Sequence, residues 1–228
     1  MNRARLDSPV PRSDELPYSE FSYPVEHRHF LAVPDPLPET QLAHVLAARN
    51  SRRSFQKLPL KHFSSLLWYS THALEVSLPG QPRWQHRPAP SAGGKHPLDL
   101  LVLNYEDNSS VAYLYEPTTH SLCRLKLTSG AQTLDHFLQL LNKVLPVEHG
   151  TVLWFAAQFD RTLAKYQNGE SLVWRDCGAL IATISLVAEC LELNSCAVGI
   201  TGEPHISQLL SAGNTVVGAG GLIVGARA

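Results

Sequence analysis

Three strand-like segments follow one another in the middle of the chain, and only turn residues separate them. They lie at 98–105, 111–115 and 122–127, and each is short and rich in apolar or aromatic side chains. Elsewhere the spacing of apolar residues changes between strand-like and helical without a regular βαβ alternation. That order of elements predicts an α+β domain.

Further predicted elements flank these strands. Helices are predicted at 39–48, 60–69, 134–145, 172–193 and 206–210, and strands at 152–158, 195–200 and 216–224. The helix at 172–193 is apolar on most of its faces, so we expect it to lie in the core. Residues 1–38 are rich in proline and charge, which predicts an extended N-terminal arm, disordered or draped over another surface. The domain itself is expected at 39–228.

Bulk composition narrows the class of protein. A chain of 228 residues with 44% hydrophobic residues suits one domain with a substantial core. The net charge of -1 gives no reason to expect nucleic acid or a membrane surface as a partner. The four cysteines form no C-x-x-C pair, and the N-terminus lacks the apolar segment of a signal peptide. The longest apolar run, 177–188, is too short to span a bilayer, so we expect a cytoplasmic protein.

Two prolines enclose a run of small residues between Pro90 and Pro97. The run reads Ser91, Ala92, Gly93 and Gly94, and two cationic residues follow it. Glycine pairs let a backbone approach a flat or anionic ligand, and the prolines prevent helix at either end. On the loop alone, an ordinary surface turn and a ligand-binding loop both remain open.

Two further groups could carry chemistry. Arg49, Ser51 and Arg53 alternate, so in an extended segment they share one face that suits a phosphate; a solvated basic turn is the alternative. Lys165 and Tyr166 end a short segment at 161–166 that is predicted to be helical, and either could act as acid or base if its surroundings tuned it. Because neighbours in a helix point about 100° apart, we expect at most one of these two to face a reacting atom. No metal site is expected, since the pair of histidines at 27 and 29 has no third ligand nearby.

Taken in order, these motifs resemble the flavin-dependent nitroreductase superfamily, and within it the SagB/McbC-type azoline dehydrogenases of thiazole/oxazole-modified peptide pathways. The similarity covers roughly residues 40–228. Its motifs are an R-x-S-x-R-x-F opening, a P-S-A-G-G-x-x-P loop, a Y-x-Y-x-P…H-x-L hairpin, an R…K-Y pair, a D/E-x-G helix start, a late G-x-x-G turn and a terminal G-x-R. The matching residues are Arg49, Ser51, Arg53, Phe55, Pro90 to Pro97, Tyr113, Tyr115, Pro117, His120, Leu122, Arg161, Lys165, Tyr166, Asp176, Gly178, Gly199, Gly202, Gly225 and Arg227.

The resemblance implies a nitroreductase-like fold, with a central, mostly antiparallel sheet flanked by helices and FMN at a homodimer interface. Arg49, Ser51, Arg53 and Arg227 would hold the phosphate and ribityl chain. The loop from Pro90 through Ser91, Ala92 and Gly93 to Gly94 would lie near the flavin, and the backbone of Ile200, Thr201 and Gly202 would approach its ring. Lys165 and Tyr166 would be the catalytic pair that helps to remove the substrate α-proton.

Three functions follow as hypotheses. The first is an FMN-dependent oxidoreductase that dehydrogenates an azoline-type heterocycle on a peptide or natural-product intermediate. The second is an NAD(P)H-dependent nitroreductase or quinone reductase, and the third is a flavin-free scaffold or partner subunit of a biosynthetic complex. Two departures from the branch bear on the substrate: no arginine follows the Lys-Tyr pair closely, and Ala179 stands where the D/E-x-G-H pattern has histidine.

Overall fold

The computed structural model describes residues 7–76, 84–106, 109–127, 130–147 and 149–227. Its strands are β1 (Val10–Pro11), β2 (Val25–Phe30), β3 (Leu74–Val76), β4 (Trp84–His86), β5 (Leu98–Glu106), β6 (Ser109–Glu116), β7 (Ser121–Leu125), β8 (Thr151–Ala157), β9 (Tyr166–Gln167), β10 (Leu193–Val198) and β11 (Val217–Ala226). Its helices are α1 (Leu42–Ala48), α2 (Leu60–Thr71), α3 (Ala131–Val144), α4 (Phe159–Leu163), α5 (Glu170–Cys190) and α6 (His205–Leu209), with one 3₁₀ turn at Ala92–Gly94. This content confirms the α+β class.

Seven strands in the described part of the chain form one sheet, in the spatial order β10-β11-β8-β5-β6-β7-β2. β5, β6 and β7 pair in chain order as a meander, as the short connections between them require. β8 returns to the free side of β5, and β11 and then β10 extend the sheet beyond it. Every pairing in this sheet is antiparallel, which confirms the expectation of a mostly antiparallel sheet.

Strand β8 shows how the helices are arranged around the sheet. All seven of its residues are buried, and successive side chains point to opposite faces. Trp154 packs on one face against Phe137 of α3, with ring centroids 4.9 Å apart, in a cluster that also includes α6. Phe155 belongs to the cluster on the other face, with side chains of α2 and α5 such as Leu66. The sheet therefore lies between two helical layers.

The N-terminal segment is extended and lies on its own domain. β1 pairs with β9, the Phe21 amide donates to Gln158 Oε1 at 2.7 Å, and the Tyr23 hydroxyl donates to Asp99 Oδ2 at 2.8 Å. Part of the expected arm at 1–38 instead belongs to the main sheet, because β2 pairs with β7 as its edge strand. Residues 1–6 lie outside the described part of the chain.

Helix α5 is buried on one side only, so the expectation that 172–193 lies within the core was too broad. Val173, Leu180 and Ile184 face the sheet and are buried. On the other side Trp174 is 41% exposed and Gly178 is exposed. At 21 residues, α5 is also longer than the apolar run that we judged too short for a membrane, and it has the length and composition of a spanning helix. The core helix of a soluble protein meets the same criterion, and α5 packs against α2 and the sheet.

A buried hydrogen-bond chain centred on His120 joins three elements. Nδ1 of His120 lies 2.8 Å from the Tyr115 hydroxyl, and Nε2 lies 2.8 Å from Ser64 Oγ. Ser64 Oγ in turn donates to the Ala32 carbonyl at 2.5 Å, so it can accept a hydrogen bond from Nε2. We therefore assign the neutral tautomer with hydrogen on Nε2. Burial is the main cause that lowers the pKa of His120 to about 4.

Acid should weaken the fold through this imidazole. The pKa of His120 falls from 6.5 to about 4 on folding, so its contribution is complete above pH 6.5 and is lost as pH falls towards 4. We expect the difference in unfolding free energy between the wild type and His120→Gln, measured by urea denaturation, to shrink below pH 6.5. The slope for one proton is at most about 1.4 kcal/mol per pH unit. His62→Gln on the exposed side of α2 is the control, and a pH-independent difference for His120→Gln contradicts the assignment.

Candidate functional site

The loop between Pro90 and Pro97 is fixed to helix α5 by one carboxylate. Ser91 Oγ donates to Asp176 Oδ2 at 2.6 Å, and the Ala92 amide donates to both carboxylate oxygens at 3.1 and 3.2 Å. The His96 amide closes the loop by donating to Ser91 Oγ at 2.8 Å. Burial raises the pKa of Asp176, and the hydrogen bonds from Ser91 and Ala92 offset only part of that rise. The loop is thus an ordered feature of this chain.

The two glycines of the loop have left-handed backbones, Gly93 at φ 61° and Gly94 at φ 67°. A Cβ on Gly93 would lie 2.8 Å from Lys165 Cδ and 2.8 Å from the Tyr166 hydroxyl. A Cβ on Gly94 would meet no described atom within 4 Å. Gly93 therefore provides close contact with the Lys-Tyr pair, whereas Gly94 leaves open space beside the loop.

Lys165 and Tyr166 both reach the loop, although we expected at most one of them to face a reacting atom. That expectation assumed a helix through 161–166, but α4 ends at Leu163 and Tyr166 lies in β9. Because Lys165 and Tyr166 follow the end of that helix, their side chains need not point 100° apart. Lys165 Nζ donates to the Gly93 carbonyl at 3.1 Å. The structure thus brings together two predicted groups that lie more than seventy residues apart in the sequence.

The segment with Arg49, Ser51 and Arg53 lies at a different end of the molecule. All three side chains are exposed, and within the described residues no carboxylate pairs with Arg49 or Arg53. The backbone amide of Arg52 donates to the Ser195 carbonyl at 3.0 Å, which attaches the segment to β10. These free guanidiniums beside a hydroxyl retain the capacity to bind an anion.

Arg227 reaches the same part of the surface, together with Arg52, an arginine that the sequence pattern missed. We call the group formed by Arg49, Arg52, Arg53 and Arg227 the arginine corner. Arg52 and Arg227 both donate to the carboxylate of Glu189 near the end of α5, Arg227 at 2.8 Å. Burial acts to raise the pKa of Glu189, but the hydrogen bonds from the two arginines outweigh it and the net shift is downward. Arg52 fell between the alternating positions, although Glu189, the one charged side chain in the last twelve residues of α5, was a signal that a cation lay nearby.

The third predicted segment, Ile200 to Gly202, follows β10 and forms a rigid turn. The Thr201 carbonyl accepts from Trp154 Nε1 at 2.9 Å and from the Gly220 amide at 3.0 Å. Gly202 is buried at φ 91° against the Trp154 ring, so a side chain there has no room. Ile200 is 45% exposed at the surface of the turn. The turn therefore offers a fixed backbone to a ligand.

The site residues form two groups that lie far apart within one chain. Asp176 anchors the loop near the start of α5, and Glu189, which holds Arg227, comes thirteen residues later. At the rise of an α-helix this places the two anchors about 20 Å apart. A ligand that touched both groups of one protomer would have to span that length.

Comparison with known proteins identifies the family. The sequence model of the nitroreductase family matches residues 27–225, so the chain belongs to the nitroreductase family. Members of this family are oxidoreductases. The fold agrees with this class, and so does the presence of both the arginine corner and the glycine loop. A search of curated proteins found no match.

Solved structures show the same fold. A nitroreductase-type protein from Ralstonia eutropha JMP134 is 21% identical, with a TM-score of 0.64 over 94% of this chain and 98% of the other. The Escherichia coli microcin synthetase McbBCD complex with truncated pro-MccB17 bound contains a chain 18% identical, with a TM-score of 0.57 over 85% of this chain and 75% of that one. A nitroreductase-type protein from Desulfovibrio desulfuricans in complex with FMN is 15% identical, with a TM-score of 0.53 over 84% and 88%.

Alanine at the two loop glycines should separate backbone strain from side-chain contact. Gly94→Ala adds only the cost of a left-handed residue, about 1 kcal/mol of unfolding free energy. Gly93→Ala adds the same strain and also displaces Lys165, so we expect a further loss of roughly 1 kcal/mol with its hydrogen bond. Urea denaturation of both variants gives the comparison. Equal losses would mean that the Lys165 contact contributes nothing to the stability of the loop.

Proposed function

We propose that this nitroreductase-family protein is an FMN-dependent oxidoreductase that dehydrogenates an azoline-type heterocycle on a peptide or natural-product intermediate in the cytoplasm. The observation that carries the proposal is the convergence of Lys165 and Tyr166 on Gly93. Removing hydrogen from a ring carbon requires a proton acceptor beside the redox cofactor, and this pair supplies two candidate groups at one place. The motif resemblance favours the same substrate class.

The residues present fit FMN. Arg49, Arg53 and Ser51 would bind the phosphate, and Arg227 would add donors, since only one of its nitrogens is engaged by Glu189. Among the described residues a single carboxylate, that of Glu189, contacts the four arginines of this corner (Arg49, Arg52, Arg53 and Arg227), so the excess positive charge suits a dianion. The open space beside Gly94 and the fixed turn at 200–202 would admit a flat ring.

Bound flavin would supply the two-electron acceptor that dehydrogenation requires. The chain's own part is to hold and move the proton. Lys165 Nζ lies at the loop with a backbone carbonyl as its partner, and within the described residues no carboxylate is ion-paired with it. It can therefore exchange a proton without first breaking an ion pair. The Tyr166 hydroxyl beside Gly93 would orient the substrate or relay that proton.

The family favours a second candidate equally: reduction of a nitroaromatic or quinone by NAD(P)H. Two of the structural neighbours are described as nitroreductases, one of them with FMN bound. The same arginines and loop would hold the flavin in either reaction. Stopped-flow bleaching of the flavin by NAD(P)H distinguishes this candidate, because the dehydrogenase would be reduced by its heterocyclic substrate instead.

The exposed face of α5 and the distance between the two groups support a homodimer. Trp174 and Gly178 on α5 and Leu42 and Leu46 on α1 are apolar and exposed, and α1 packs against α5. We propose that a second copy covers this surface. The arginine corner of one protomer would then lie beside Lys165 and the 90–97 loop of the other. Further partner proteins are compatible with this arrangement, since one structural neighbour belongs to a synthetase complex.

The purified protein should be yellow and should release FMN on denaturation. Lys165→Ala should keep the flavin, because the arginines and not Lys165 would bind the FMN phosphate, but should lower turnover at least about 100-fold. Absorbance spectra and turnover of a heterocyclic peptide substrate measure the two effects. Unchanged turnover excludes the catalytic role of Lys165. A colourless wild-type protein that fails to bind added FMN excludes the flavin and favours a scaffold or partner subunit.

Mixed protomers test whether the site is shared between subunits. One differently tagged copy carries Arg49→Ala with Arg53→Ala, and the other carries Lys165→Ala. If each site combines the two groups from different protomers, the mixed dimer has one intact site and about half the wild-type activity, whereas each parent homodimer has almost none. Purification through both tags isolates the mixed species. Absence of recovered activity contradicts a site assembled from two protomers.

A further inference from the structure

An open polar cleft of about 860 Å³ lies beside Lys165 and the 90–97 loop. Gly93, Gly94 and Lys165 form one side of it, Tyr18 of the N-terminal arm lies on another, and Arg87 contributes a guanidinium. The cleft is therefore where a substrate would reach the proposed catalytic pair. None of the sequence motifs assigned a role to Arg87.

The guanidinium of Arg87 has less compensation than the other cations of this cleft. Its Nη2 donates to Gln85 Oε1 at 2.8 Å, while its Nε is buried without a hydrogen-bond partner. Within the described residues it forms no ion pair. Burial is the main cause that lowers the pKa of Arg87. A buried charge with an unpartnered donor destabilises the fold unless a partner compensates it.

Two other cations of the cleft, Lys95 and Arg161, already have carboxylate partners. Lys95 pairs with Glu15, and Arg161 pairs with Asp99 at 2.8 Å and with Glu20 at 3.4 Å.

Asp99 is the negative group that acts most strongly on Arg87, but it has little capacity to spare. Its carboxylate accepts from the Tyr23 hydroxyl at 2.8 Å, from Gln158 Nε2 at 2.6 Å and from Arg161 at 2.8 Å. Glu116 also lines the cleft and acts on Arg87 at longer range, without a hydrogen bond to it. Arg87 thus lines the cleft with donor capacity that its described neighbours do not use.

We propose that Arg87 binds a carboxylate of the substrate by charge-assisted hydrogen bonds and so selects acidic substrates for the Lys165 site. This inference rests on the proposed function for the chemistry at Lys165, but the binding event itself does not need the flavin. A carboxylate matches the planar donor fork of arginine and would pair the one guanidinium of the cleft that lacks an ion-pair partner among the described residues. The arginine corner, which is held by Glu189 near the other end of α5, is the better site for the FMN phosphate.

Benzoate and benzamide test the proposal, because they have nearly the same shape and differ in charge. Binding to the wild-type protein is measured by calorimetry and, where flavin is present, by the change in its absorbance. We expect benzoate to bind at least about tenfold more tightly than benzamide. Arg87→Gln should abolish this preference and leave benzamide binding and flavin content unchanged. Arg87→Lys, which keeps the charge without the fork, should retain part of the preference.

Lys95→Gln is the matched control. It removes the same charge from the same cleft, but from a cation that Glu15 already pairs, so the preference for benzoate should persist. Equal binding of the two probes by the wild type, an unchanged preference in Arg87→Gln, or an equal loss in Lys95→Gln overturns the proposal. A colourless protein that still prefers benzoate through Arg87 leaves this inference standing while the flavin proposal fails.

Discussion

The candidate site depends on the carboxylate of Asp176. A buried acid is costly unless it receives hydrogen bonds, and Ser91 and Ala92 supply them from a loop eighty-five residues away. That interaction fixes the loop to α5 and sets the direction of the Gly93 carbonyl, which in turn receives Lys165 Nζ. The position of the proposed catalytic amino group of Lys165 is therefore determined through a helix, a loop and a backbone carbonyl. Without Asp176, the loop would lose the hydrogen bonds from Ser91 and Ala92 that join it to α5.

Much of this arrangement could be predicted from the sequence because it is encoded locally. The glycine pair between prolines, the alternating Arg49 and Arg53, and the Lys165-Tyr166 pair are each visible within eight residues. The α+β class likewise follows from turn residues between adjacent strands. What the sequence could not show are partnerships between distant residues: Arg52 with Glu189 and Asp99 with its donors join positions between 59 and 137 apart. Nothing in the local pattern around Arg87 distinguishes it from an ordinary surface cation.

Two errors of interpretation have physical causes. β2 reads Val-Glu-His-Arg-His-Phe, and all six residues are exposed at the sheet edge, so neither a continuous apolar run nor a clean alternation marks it as a strand. Helix α5 was misinterpreted for the opposite reason, because its sequence is more apolar than its burial requires. Its apolar residues cover more of its circumference than the sheet and α2 can bury, and an apolar surface meant for a second protomer looks the same in sequence as one meant for the core.

The exposed side of α5 and the two ends of the proposed flavin site are connected, because both depend on the same helix. A helix that anchors the loop at Asp176 and the arginine corner at Glu189 separates these groups by its own length, about 20 Å, so a single protomer holds the two groups apart. The same helix presents the apolar surface that a second copy would cover. Dimerisation about α5 would therefore bury that surface and bring complementary halves of two sites together in one step. On this view the apolar character of α5 is a requirement of the site as much as of the fold.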